Sequence, residues 1–117
     1  MNSSPGFEPI FTESFAAIYH AKKKRLQPMA EAIQQGVDHI LAAPQNNDGP
    51  MRHPHSGRRK KYVGKSSYRI VFAICAECRK LGKQRENGCE FCGEAKDNNI
   101  VFFHAGVKQE RHGDYDL

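Results

Sequence analysis

No run of apolar residues in this 117-residue chain comes near the roughly 18 that a bilayer span requires, which excludes a membrane-spanning role. The opening MNSSPGFEP has neither a basic stretch nor an apolar one behind it. Nothing there reads as a secretory leader, so a cytoplasmic chain without a membrane partner is expected. G-x-S-x-G, a Walker loop and H-E-x-x-H are all missing. The usual hydrolase and nucleotide-triphosphatase mechanisms therefore lack their parts, and no small-molecule cofactor is expected. Hydrophobic residues make up only 38% of the chain and its mean hydropathy is −0.71. The length sets one domain over 1–117 as the default, with a core small enough for a cross-link or a metal to matter.

Acidic residues are almost missing from one third of the chain. Residues 52–85 carry eleven Lys/Arg against the single Glu77, a net charge of +10, whereas residues 1–51 sum to −1 and residues 86–117 to −4. A block of that density repels itself unless a polyanion or an acidic protein neutralises it. Nucleic acid is the first candidate and a solvated basic face the plain alternative; strand-forming residues interleaved with the charges favour the former. Binding to phosphates through such a block weakens as salt rises.

The order of elements follows from pattern. Phe7–Phe11, interrupted by Pro9, suits an edge strand. Thr12 is placed to cap a helix starting at Glu13, with Phe15, Ile18, Tyr19 and Leu26 on one face and Lys22–Arg25 near its C-terminus, where cations are favoured. Pro28 opens a second helix whose apolar positions Met29, Ile33, Val37, Ile40 and Leu41 recur at helical spacing, and Pro44 closes it. Residues 45–56 read as loop. Lys60–Val63 and Tyr68–Ile74 read as strands joined by a turn at Gly64–Ser67, and Ile100–His104 as another strand, antiparallel to the second. Helices followed by an antiparallel sheet make an α+β arrangement: a two-helix hairpin packed on a twisted sheet.

Four cysteines sit between the last two strands as C-x2-C-x10-C-x2-C: Cys75, Cys78, Cys89 and Cys92. Each C-x2-C can curl so that both thiolates reach one ion, and two such knuckles complete a tetrahedral zinc site. Two disulfides or a tetrathiolate iron site are the alternatives. All four positions are then filled by sulfur, so one structural Zn2+ per chain is expected, stapling a ribbon inserted at 75–98. Its two excess negative charges are within reach of Arg79, Lys80, Lys83 and Arg85, which otherwise face RNA or the ribosome.

Lys60, Lys61, Arg69, Lys108, Arg111, His112 and Tyr115 lie on or beside the expected strands. Cleavage of RNA by its own 2′-hydroxyl needs a base, an acid for the leaving oxygen, and donors for the charge that develops on phosphorus. Lysine and arginine supply the donors. A tyrosine among cations has its phenolate favoured, which makes Tyr115 the candidate base and His112 its competitor. No role is assigned to His53, His55 or His104.

The opening F-x-x-x-F-T-E-S-F, a helical hairpin ending in A-A-P, K-K-Y-V-G-K-S-S-Y-R-I-V-F-A-I and I-V-F-F-H-A-G-V-K with Tyr115 behind it together resemble the RelE/ParE toxin superfamily over most of the chain. The resemblance implies the toxin of a type II toxin-antitoxin pair, a sheet whose concave face binds mRNA at the ribosome, and an antitoxin protein that wraps and silences it. It places the family's strand arginine on Arg69, its strand lysines on Lys60 or Lys61, its C-terminal tyrosine on Tyr115 and its last-strand basic residue on Lys108. There RelE-type members usually carry arginine, and lysine offers phosphate no bidentate fork. The Gly106–Tyr115 stretch is one residue longer than in RelE itself, which keeps Arg111 and His112 as alternatives. The cysteine insertion has no counterpart in most members. An endoribonuclease is the favoured reading; a ParE-like gyrase inhibitor and a nonenzymatic zinc-ribbon binding module are the alternatives.

Overall fold

A computed structural model describes residues 7–25, 27–51, 57–63, 68–81 and 95–107. A strand β1 (Glu8–Phe11) leads into α1 (Glu13–Arg25) and α2 (Gln27–Ala42). Strands β2 (Arg59–Val63) and β3 (Tyr68–Ile74), a short α3 (Cys75–Leu81) and the strand β4 (Asn99–Val107) follow. Among the described residues no helix is long and apolar enough to cross a membrane.

Thr12 caps α1 as its position suggested: its Oγ1 accepts from the Phe15 N–H at 3.1 Å, and its carbonyl accepts from the Ala16 N–H at 3.0 Å. The same hydroxyl donates to the Phe103 carbonyl at 3.2 Å, tying the start of α1 to β4. Helix α2 buries Ala30, Ile33, Gly36, Val37 and Ile40, a stripe at helical spacing that lies against the sheet.

The sheet order is β1-β4-β3-β2. β2 with β3 and β3 with β4 pair antiparallel, as the sequence suggests, but β1 joins β4 in parallel. The expectation of a wholly antiparallel sheet is corrected at this edge. No hairpin links β1 to β4, since three helices and two strands lie between them, so no turn imposes their relative direction. Pro9 is tolerated because β1 is an edge.

Alternation in β3 sends Tyr68, Ile70 and Phe72 to the helix side, where they meet Phe15, Ile33, Val37 and Ile40 together with Ile100, Phe102 and Ala105 of β4. Phe102 anchors an aromatic group, with ring centroids 5.4 Å from Phe11, 5.6 Å from Phe15 and 6.1 Å from Phe72. The opposite face carries a second apolar cluster of Ala73, Cys75, Ala95, Val101 and Phe103.

Two stretches depart from their expected forms. Residues 46–51, read as loop, fold back on the outer edge of β2: Asp48 N–H donates to the Lys60 carbonyl at 2.8 Å, Lys60 N–H to the Gly49 carbonyl at 3.1 Å, and Met51 N–H to the Arg58 carbonyl at 2.8 Å. That covers part of an otherwise open strand edge. Gly49, with φ of +111°, makes the turn possible. Past Ile74 the first part of the expected insertion, Cys75–Leu81, is helical and forms α3, and residues 82–94 lie outside the described residues. The residues CAECRKL are mostly good helix formers, with Glu77 in the first turn and Arg79 and Lys80 in the last, matching the helix dipole.

Candidate functional site

Of the basic block, Arg58, Lys60 and Arg69 lie on the face of the sheet opposite α1 and α2. Residues directly opposite in an antiparallel pair share a face, so register decides which side chains meet. Lys60 pairs with Val71, and Val71 with His104; Tyr62 pairs with Arg69, and Arg69 with Gly106. These two rows lie on the face away from α1 and α2, about 6.6 Å apart along the strands at a rise of about 3.3 Å per residue. Lys61 pairs with Ile70 on the helix side instead, and its Nζ donates to the Asn46 carbonyl at 3.4 Å. Of the lysine pair, only Lys60 shares a face with Arg69.

A bulge shapes the β4 side of this face. Phe72 pairs with Phe102 but Val71 pairs with His104, so Phe103 is the extra residue. Phe103 and His104 therefore both turn to the face opposite α1 and α2. Phe103 lies beneath the guanidinium of Arg58, whose Cζ is 3.8 Å from the ring centroid. The His104 imidazole extends over Gly106, where a Cβ would stand 2.8 Å from Nε2. Gly106 is thus the notch that lets the imidazole lie beside the Arg69 row. Sequence reasoning assigned no role to Arg58 or His104. The alternation Arg58, Lys60, Tyr62 is visible as a period-two pattern, whereas nothing in the sequence signals the bulge.

Arg58 and Arg69 are buried, at 7% and 2% exposure. Burial lowers the Arg69 pKa from the ordinary guanidinium value, and its hydrogen bond to the Tyr62 phenol opposes that shift. Arg69 nonetheless stays protonated at any physiological pH. On the helix side Arg59 makes a bidentate pair with Glu77, Nε to Oε1 at 2.9 Å and Nη2 to Oε2 at 2.7 Å, and also donates to Asn47 Oδ1 at 3.3 Å. The Glu77 carboxylate holds the Arg59 pKa above its ordinary value.

Lys108, Arg111, His112 and Tyr115 lie outside the described residues, as do Cys89, Cys92, Lys83 and Arg85. The phenol found against Arg69 belongs to Tyr62, a residue the sequence reading did not single out. Cys75 and Cys78 are buried on α3. Among the described residues no group of three or more His, Cys, Asp or Glu is gathered into a metal cage. Arg79 Nη1 donates to Asp97 Oδ1 at 2.6 Å and Nη2 to the Ala95 carbonyl. A separate hollow of about 160 Å³ between β1, α1 and α2 is lined by Phe11, Phe15, Tyr19, Ile33 and Val37, apolar surface remote from the basic rows.

Lys60 and, once it is uncovered, Arg69, with an imidazole and a phenol on the same face, are groups that can bind a phosphate and stabilise charge that grows on it. No family profile matches this chain, and no curated protein matches it in sequence. Among solved structures it is similar to a YoeB/ParE toxin from Agrobacterium tumefaciens, with a TM-score of 0.61 and 11% identity, covering 86% of this chain and 96% of that one. On a very different sequence, the chain thus shares the fold of that YoeB/ParE toxin.

Proposed function

We propose that the chain is the toxin of a toxin-antitoxin pair and acts as a RelE-like endoribonuclease on mRNA at the ribosome, with an antitoxin protein as its inhibitor. The observation that carries this reading is the placement of Lys60 and Arg69, with Tyr62 and His104, on one face of a toxin-type sheet. In this reading a neighbouring phenolate or neutral imidazole takes the proton of the 2′-hydroxyl, the 2′-oxygen attacks phosphorus, Lys60 and Arg69 stabilise the charge on the phosphorane, and the P–O5′ bond breaks as the 5′-oxygen takes up a proton. By the family resemblance Tyr115 and Lys108 complete the site, with Arg111 and His112 as alternatives to them.

The burial of Arg69 favours a second reading. A guanidinium at 2% exposure meets a phosphate only after it is uncovered, whereas a ParE-like inhibitor needs no such contact because it works by gripping gyrase. Expression of the wild-type chain, Arg69→Ala and Arg69→Lys separates the two, with folding of each checked by circular dichroism. Translation arrest with new mRNA ends, abolished in the alanine variant and weakened in the lysine variant, is the expected outcome. Growth arrest with intact mRNA and blocked DNA supercoiling would instead establish the inhibitor.

A further inference from the structure

The row Tyr62, Arg69, Gly106 crosses three strands on the face opposite α1 and α2, and its third position carries no side chain of its own. The His104 imidazole takes that place: a Cβ on Gly106 would meet Nε2 at 2.8 Å, Cδ2 at 3.5 Å and Cε1 at 3.7 Å, all atoms of the one ring. The backbone of His104 belongs by register to the Lys60 row, while its ring lies in the Arg69 row. With neighbouring strands about 4.8 Å apart, the phenol and the imidazole thus come from strands about 10 Å apart, one on each side of Arg69. Both residues are half-buried, more open than the arginine between them.

Each member of the row is held in place. Asp48 Oδ2 accepts from the Tyr62 N–H at 2.8 Å and fixes that end of β2. The Tyr62 phenol is hydrogen-bonded to Arg69. A guanidinium has no acceptor, so the phenol oxygen receives this bond and keeps its own proton to give. On the other side the bulge at Phe103 turns His104 outward, and Thr12 pins the bulge through the Phe102 and Phe103 carbonyls. Packing alone would be met by an alanine at 106 and an aliphatic residue at 104. The combination of a bulge that re-aims a polar ring and a notch that receives it is the arrangement met beside active sites.

We propose that His104 and Tyr62 are the base and the acid of phosphodiester cleavage, set on either side of Arg69, with Gly106 as the positioning residue that admits the imidazole to the row. The assignment rests on the endoribonuclease reading and names its proton-transfer groups. An imidazole ordinarily titrates at about pH 6.5 and a phenol at about pH 10, so around neutrality the first accepts a proton and the second has one to give. His104 Nε2 takes the proton of the 2′-hydroxyl, the 2′-oxygen bonds to phosphorus, the P–O5′ bond breaks, and the Tyr62 hydroxyl gives its proton to the 5′-oxygen. The products are a 2′,3′-cyclic phosphate and a 5′-hydroxyl. The imidazolium then returns a proton to the phenolate through solvent, so the enzyme ends as it began.

The test measures single-turnover cleavage of a synthetic mRNA on purified ribosomes by the full chain, as a function of pH, for the wild type, His104→Gln, Tyr62→Phe and Gly106→Ala. A bell-shaped profile is expected for the wild type, with the acidic limb lost in His104→Gln and the basic limb in Tyr62→Phe, each at a rate about 100-fold lower or less. Gly106→Ala should slow cleavage on the order of 100-fold by displacing the ring, without lowering the melting temperature. An mRNA with a bridging sulfur in place of the 5′-oxygen loses its leaving group without a proton, so it should rescue Tyr62→Phe and leave His104→Gln slow. A wild-type chain that cuts no ribosome-bound RNA overturns the endoribonuclease reading and the pair with it. Cleavage by the wild type with the rate of His104→Gln within about threefold of it, or with the acidic limb intact in that variant, overturns the pair alone. Sulfur that rescues His104→Gln instead of Tyr62→Phe, or neither, overturns the division of roles. If His104→Gln fails to fold, Gly106→Ala decides, since its added methyl meets the imidazole first: an unchanged rate there overturns the assignment.

Discussion

Gly36→Ala tests how α2 is seated on the strand that carries Lys60 and Tyr62. A Cβ at position 36 would stand 2.4 Å from Val63 Cγ1 and 2.8 Å from Ile70 Cδ1, both inside contact distance. The Ile70 methyl ends a flexible side chain and can swing aside. Val63 is branched at Cβ and has little rotameric freedom, so β2 or α2 must move. Overpacking of this kind costs about 1–3 kcal/mol, and the close Val63 approach puts it toward the upper end. Replacing glycine inside a helix returns about 1 kcal/mol. The net expectation is a loss of about 1–2 kcal/mol, a fall in Tm of about 4–8 °C for a chain of this size. Val63→Ala removes the obstructing methyl and by itself costs about 1–3 kcal/mol. In the double variant the new alanine methyl fills the vacated space, so the combined loss should be smaller than the sum by about 1–2 kcal/mol. Urea unfolding of the four proteins measures this cycle. A Gly36→Ala chain as stable as the wild type, or losses that add to within about 0.5 kcal/mol, would refute the close approach of α2 to β2.

The register separates the two lysines: Lys60→Ala should reduce RNA binding and lower its salt dependence by about one counterion, whereas Lys61→Ala should leave both unchanged, as filter binding at several salt concentrations would show. Tyr68 is buried, and burial raises its pKa above the ordinary phenol value. The unfolded chain ionises first, so this contribution is intact below about pH 10 and is lost as pH rises through the folded-state value. Tyr68→Phe should flatten the fall of Tm above about pH 10 while costing about 0.5–1 kcal/mol at neutral pH for its 3.4 Å bond to the Ala105 carbonyl. Thr12→Ala should cost about 1–2 kcal/mol, since one hydroxyl both caps α1 and holds the Phe103 carbonyl, and Thr12→Ser should retain most of that stability in the same melts.

Elements whose signal is local were legible from the sequence. β3 has the bounds its β-branched run suggested, and the α2 stripe and Thr12 cap stand where periodicity and chemistry put them. β4 runs from Asn99 to Val107, longer than the Ile100–His104 run, because Gly106 reads as a strand end although it is paired with Arg69. α3 is seven residues long and opens on two cysteines spaced as metal ligands, so its helix-forming residues carry no distinct periodic signal. The parallel placement of β1 has no local signature. Arg69 and Lys60 were recognisable as candidates from charge and strand pattern, but choosing Lys60 over Lys61 requires register, because a slip of one residue exchanges the faces of the whole strand.

The bulge in β4 shows why composition alone could not assemble the site. Without the extra residue, strict alternation beyond Phe102 would keep Phe103 opposite α1 and α2 but turn His104 toward them, into a core of Ile33, Ile40, Ile70 and aromatic rings, and turn Ala105 out of it. With it, Phe103 and His104 share the outer face, the ring supporting the Arg58 guanidinium and the imidazole occupying the space over Gly106. Thr12 donates its hydroxyl to the Phe103 carbonyl and its N–H to the Phe102 carbonyl, at the residues where the register shifts. The residue that starts the first helix thus also holds the irregularity that orients the last strand's contribution to the site. A basic segment, an N-terminal cap and an aromatic strand far apart in sequence form one physical unit, and the cations acquire their common face from that unit rather than from their own spacing.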